Sequence, residues 1–145
     1  METFQDCIKF ANEHANCHVA TAEGDQPRVR ALGLWFADKT GFYFQAYTVK
    51  AIYKQLKENP RVEIYFYAPG KEDLGKAMRV SGKVKFVNDK KLKAKVLEDR
   101  PFLKLSGIDK PEDPRLLIFQ VYTGEAYFWT MADNWKEAGI KRIKF

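Results

Sequence analysis

Apolar residues recur with two different periods along the chain. Phe4, Cys7, Ile8, Ala11 and Ala15 fall at helical spacing, and Thr3 followed by Asp6 resembles a capping box with Asp in place of Glu. An opening amphipathic helix is expected. From Cys17 onward the period shortens: His18 to Ala22 reads as a strand, Glu23-Gly24-Asp25-Gln26-Pro27 as a turn, and Val29 to Phe36 as a longer strand completing a hairpin. Asp38-Lys39-Thr40-Gly41 turns the chain into Phe42 to Ala46, whose aromatic density suits a pleated, half-buried surface.

Thr48 is expected to cap a short helix through Ile52 and Leu56, stopped at Asn59-Pro60 because the residue before proline avoids helical dihedrals. Val62 to Tyr67 and Ala77 to Val87 read as strands around a loop containing Pro69-Gly70 and Gly75. Asn88-Asp89 starts a Lys-rich helix with Leu92, Val96 and Leu97 facing inward, broken at Asp99 and Pro101. Leu116 to Tyr122 and Glu125 to Thr130 read as a last pair of strands around Gly124, followed by a polar, basic tail. About seven strands with one opening helix and two inserted ones predict an α+β fold built on a small antiparallel barrel, closed or split.

Composition narrows the class. The 145 residues, 46% hydrophobic and 14% aromatic, are expected to form a single domain over 1–145. No apolar run approaches the roughly 20 residues of a membrane helix, and no signal pattern opens the chain, so a cytoplasmic address with no membrane partner is expected. Only Cys7 and Cys17 occur, consistent with reduced thiols. Together with His14 and His18 they match no zinc spacing, so no metal site is expected, and His14 falls at a helix end. A net charge of +6 favours anionic partners without choosing among them. P-loop, GxGxxG, HExxH and GxSxG signatures are all missing.

Two segments carry candidate chemistry. Arg28 and Arg30 share a strand face with Leu32 and Leu34, a charged pair opening onto an apolar surface. Thr48 and Lys50 place a hydroxyl and an ammonium at a helix start, where free backbone N–H groups attract anions. Separately, each has a plainer reading, as a surface ion pair or a helix cap.

In this order, Cys17-His18-Val19-Ala20-Thr21, Arg28-Val29-Arg30-Ala31-Leu32, Gly41 to Ala46, Gln55 to Val62, Arg79-Val80-Ser81-Gly82 and Tyr127-Phe128-Trp129 resemble the FMN-binding split-barrel family of pyridoxamine 5'-phosphate oxidase over nearly the whole chain. The resemblance implies an antiparallel split β-barrel and a homodimer with FMN at the subunit interface. It also implies phosphate contacts from Arg30 and Lys50, with Thr48 in support. Val29, Leu32, Gln45 and Ala46 would line the ring through main-chain atoms, and Trp129 matches an aromatic that approaches the flavin. Departures are equally visible. Lys50, Ala51 and Ile52 stand where the oxidase has a Ser-Arg-Lys cluster, Trp35 stands where it has a lysine, and Ala77 where it has a glutamine. The oxidase's C-terminal vitamer-binding segment has no counterpart in Asp133 to Ala138, which argues against pyridoxamine phosphate as substrate.

The resemblance thus implies an FMN-dependent oxidoreductase acting on a small molecule, with a non-catalytic flavin-binding or storage protein as the alternative. The resemblance also leaves room for haem or a deazaflavin in the barrel; haem would require an axial ligand such as His14, His18 or a tyrosine. A reading from another class, a single-stranded nucleic-acid-binding barrel using Lys83, Lys85, Tyr65 and Tyr67, is disfavoured by aromatics that alternate as core positions do.

Overall fold

The computed structural model describes residues 1–72 and 74–145. Helix α1 (Phe4–Glu13) leads into strands β1 (Asn16–Glu23), β2 (Gln26–Gly33), β3 (Phe36–Asp38) and β4 (Gly41–Tyr47). Helix α2 (Ala51–Glu58) precedes β5 (Arg61–Ala68) and β6 (Lys76–Phe86). Helices α3 (Lys90–Asp99) and α4 (Phe102–Leu105) then lead to the long β7 (Leu116–Thr130), two 3-10 turns and β8 (Ile143–Lys144). The strands pair antiparallel in the order β2-β1-β5-β6-β7-β4-β3, with β8 added to β7. This is the antiparallel split-barrel architecture expected from the sequence.

Local chemistry accounts for the elements. Thr3 and Asp6 form the anticipated capping box, with the Thr3 N–H donating to Asp6 Oδ2 at 2.7 Å, and α1 buries Cys7, Ile8 and Ala11. Asn12 fixes that helix to β3: its amide donates to the Ala37 carbonyl and accepts from the Ala37 N–H, each at 2.9 Å. Inside the barrel Phe44 stacks on Phe119 with ring centroids 5.1 Å apart, and Phe42 packs near Phe66. A second apolar cluster, Val96, Leu97, Leu103 and Ile108 from the α3–α4 segment, covers Tyr43, Leu116 and Ile118 on the outside of β4 and β7. These strands are therefore buried on both faces there, which explains their near-continuous apolar runs.

The structure revises three local expectations. Leu116 to Thr130 is one strand, not two around Gly124. The stretch Val29 to Phe36 is interrupted at Leu34-Trp35, where the Leu34 N–H turns to the Ala15 carbonyl and the Trp35 N–H to the Tyr43 carbonyl, so β2 ends and β3 begins. Thr48 does not cap α2: the N-cap is Lys50, and the Thr48 hydroxyl donates to the Pro114 carbonyl at 2.9 Å. Among the described residues, no helix is long and apolar enough to cross a membrane.

Both cysteines are free and buried. Burial pushes each thiol up to about 12. Because the folded value exceeds the unfolded one, the buried thiols favour folding below about 9 and that contribution is lost as pH rises toward about 12. A disulfide reagent at pH 8 is expected to label neither thiol in the native protein and both after denaturation, with stability falling on the alkaline side.

Candidate functional site

The sheet curls without closing. Among the described residues β2 has only β1 as a neighbour, and β3 pairs with β4 only from Gly41 to Tyr43, so Arg30 to Gly33, and Gln45 to Tyr47 on the side away from β7, form strand edges without a ladder partner at the split. Unpaired edges carry backbone donors and acceptors that need a partner. A cavity of about 430 Å3 lies there, bordered by both edges, by Lys50, Ala51 and Ile52 at the start of α2, and by Arg100 and Phe102 from the α3–α4 corner. Its size is that of a small-molecule pocket, and its walls are mainly apolar with three cationic side chains.

Arg30 is half-buried and held by a polar network. Its Nη1 donates to the Val19 carbonyl at 3.1 Å and to Thr21 Oγ1 at 2.8 Å, and its Nη2 donates to Gln55 Oε1 at 2.5 Å. Gln55 Oε1 also accepts from the Thr21 hydroxyl at 2.6 Å, while its amide donates to Glu23. A guanidinium has five N–H donors, so these contacts leave Nε–H and one Nη2–H for a ligand. Burial draws Arg30 below its ordinary value, the signature of a desolvated cation. Hydrogen bonds from Gln55 and Arg28 hold Glu23 below the usual carboxylate range.

Arg100 is the other fixed cation. Its Nη2 donates to the Gly33 and Leu34 carbonyls at 3.2 and 2.8 Å, fastening the end of α3 to the break between β2 and β3. Its neighbour Asp99 is engaged by Lys95 and by the Trp35 indole N–H. Burial lowers Arg100, with Asp99 acting in the opposite direction. Lys50 is exposed, its ammonium 5.9 Å from the Tyr47 ring centre.

Of the residues singled out in the sequence, Arg30, Leu32, Gln45, Ala46 and Lys50 line this one cavity. Val29 lies next to it on β2 but points to the outer sheet face, 68% exposed. Thr48 lines a different depression with Tyr53 and Pro114. Trp129 lies in another one, with Tyr65, Ala77, Arg79 and Glu137. His14 packs on the Phe10 ring and His18 is exposed on β1, so neither reaches the cavity. Arg100, Phe102, Thr21 and Gln55 were not legible as site residues. Asp99 and Pro101 read only as a helix stop, and Arg100 between them carried no reading, although a charged residue just before a proline that ends a helix is a usable signal.

A family model described as pyridoxamine 5'-phosphate oxidase matches residues 4–130, most of the chain. The chain belongs to this family. No curated protein matches it with significant similarity. Among solved structures, a NimC/NimA family protein from Clostridium acetobutylicum is 25% identical, with a TM-score of 0.76 covering 97% of this chain and 92% of that one. General Stress Protein 26 from Bacillus anthracis is 15% identical, with a TM-score of 0.72 and 98% of each chain covered. A pyridoxamine 5'-phosphate oxidase-related, FMN-binding protein from Nostoc punctiforme is 13% identical, with a TM-score of 0.67, covering 100% of this chain and 97% of that one.

In this member of the pyridoxamine 5'-phosphate oxidase family the buried amide of Gln55 is the hub that aims Arg30. Gln55→Ala leaves the Thr21 hydroxyl and the guanidinium without their acceptor, and is expected to cost about 1–3 kcal/mol of stability in urea denaturation.

Proposed function

We propose that the protein binds FMN in the cavity between β2 and β4, works as a homodimer, and uses the flavin for oxidation or reduction of a small molecule. The observation that carries this reading is the convergence of Arg30, Lys50 and Arg100 on a cavity otherwise bounded by apolar side chains and two unpaired strand edges. Such walls suit a flat heteroaromatic body ending in a phosphate. The free N–H groups of Arg30, the Lys50 ammonium and the backbone N–H groups opening α2 receive the phosphate. The main chain of Leu32, Gln45 and Ala46 lines the ring, with Ile52 and Phe102 as apolar flanks.

FMN supplies the electron transfer when bound, and the protein supplies position and electrostatics. Arg100, anchored on two carbonyls, keeps a positive charge on the cavity wall at no reorganisation cost, so the site favours negative charge on whatever it holds. Phe102 is half-exposed at the mouth and excludes water from one side. Nothing in this reading requires a side-chain nucleophile.

The position of Trp129 supports two copies. With Ala77 and Tyr65 it faces outward from the sheet, apart from the Arg30 cavity, while Val29, Tyr65 and Tyr67 expose apolar surface on the same outer face. A second copy docked there covers these side chains and brings its own cavity toward Trp129. Reduced, buried Cys7 and Cys17 fit a cytoplasmic setting.

The purified protein, mixed with FMN and passed over a sizing column, is expected to carry flavin absorption at the mass of a dimer. Arg30→Ala should weaken retention about tenfold or more, the worth of a charge-assisted hydrogen bond, and Lys50→Ala by less. Elution without flavin would sink the cofactor assignment. Anaerobic reduction of the bound flavin by a nicotinamide donor then separates an oxidoreductase from a storage protein.

A further inference from the structure

The end of the outer sheet face farthest from Tyr67 carries a second cleft, of about 560 Å3, that shares no residue with the cavity at the split. Arg61 on β5 and Lys83 on β6 stand directly opposite each other in the ladder, and Lys144 on β8 enters from the other side. Like charges placed directly across two strands repel. Among the described residues none of the three takes part in an ion pair. Glu125 lines the cleft as well, directly opposite Lys144 in the β7–β8 ladder.

The backbone is shaped around this point. Gly82 and Gly124 oppose each other across β6 and β7, and a Cβ on either would strike backbone of the neighbouring strand, Thr123 or Ser81. Both glycines fall on the inward-facing alternation, so they let β6 and β7 approach closely beneath the cleft. Beside it the register shifts between Lys83 and Val84, which leaves Tyr122 as the extra residue of a β-bulge. Bulges re-aim side chains. Here the bulge turns Tyr122 outward, 41% exposed, along the cleft wall, with Lys85 Nζ 5.0 Å from the ring centre.

We infer that this cleft binds a nucleoside monophosphate or a phosphate monoester of the same build. Arg61, Lys83 and Lys144 neutralise the phosphate, which relieves the repulsion between Arg61 and Lys83. The Tyr122 face stacks on the aromatic ring. Glu125, acceptor-only when ionised, takes hydroxyl donors of a sugar. Three cations alone would suit any oxyanion; the carboxylate and the exposed ring select the ligand class. Neither group depends on FMN binding at the split.

The test titrates the full-length protein with adenosine 5'-monophosphate and with inorganic phosphate, following backbone amide shifts by NMR. AMP is expected to move the Gly82, Thr123 and Gly124 amides with a Kd of about 1 mM or tighter, and phosphate to move them more weakly. Lys83→Gln should cut AMP affinity about tenfold while leaving the unliganded melting temperature unchanged or higher, since it removes a repulsion; a purely structural lysine would not separate the two. Tyr122→Ala should reduce AMP binding to the level of phosphate. No shift at these amides up to about 10 mM AMP overturns the site. Equal affinity for AMP and phosphate overturns the aromatic ligand class, and tighter binding of a short oligonucleotide than of AMP overturns the free-nucleotide assignment.

Discussion

The fold turns on a sheet that bends far enough to enclose a core but is prevented from zipping shut. If β2 and β4 paired along their free edges, the cavity would be replaced by ladder hydrogen bonds. Three features keep them apart. The chain leaves the sheet at Leu34-Trp35, α2 packs beside β1 at the opening, and Arg100 consumes the Gly33 and Leu34 carbonyls. The same guanidinium that borders the cavity is thus also a strut of the barrel. Open edges expose a protein to unwanted strand pairing, and placing cations and helix ends beside them discourages it.

A second consequence is the division of labour between two cores. The barrel interior, centred on Phe42, Phe44, Phe66 and Phe119, sets the curvature. The smaller cluster under α3 and α4 holds the corner bearing Arg100 and Phe102 against the outside of β4 and β7. Trp35 ties the corner to the β2–β3 break through its indole hydrogen bond to Asp99. The site therefore has one wall made by the sheet and another made by an insertion packed against it.

Much of this was readable in residue order. Period-two alternation in β1 and β5, the Thr3–Asp6 box and the Asn59-Pro60 stop all act within a few residues, so the sequence displays them. Arg30, Leu32, Gln45, Ala46 and Lys50 come together because two strands and a helix start converge, an arrangement that the family resemblance conveyed and local pattern did not. What escaped depends on distant partners. Thr48 looks like a cap until Pro114, far along the chain, claims its hydroxyl. Gln55 looks like an ordinary helical residue until Thr21, Glu23 and Arg30 meet it. Arg100 drew no reading because its acceptors, the Gly33 and Leu34 carbonyls, lie far upstream at the end of β2.

The apparent gap in β7 has the same origin and a wider meaning. Before the bulge the barrel interior receives Leu117, Phe119 and Val121; after it, Ala126 and Phe128. Inward-facing positions switch from odd to even numbers across Tyr122, so the hydrophobic rhythm stumbles and imitates a turn. The strand behaves like a sentence whose reading frame is shifted once by a single inserted letter. Pairing Tyr122 in regular register, without the bulge, would keep β7 continuous yet turn Glu125 and Tyr127 into the core and Ala126 and Phe128 out of it. One local kink, with no change in composition elsewhere, thus lets the barrel accept both halves of the strand.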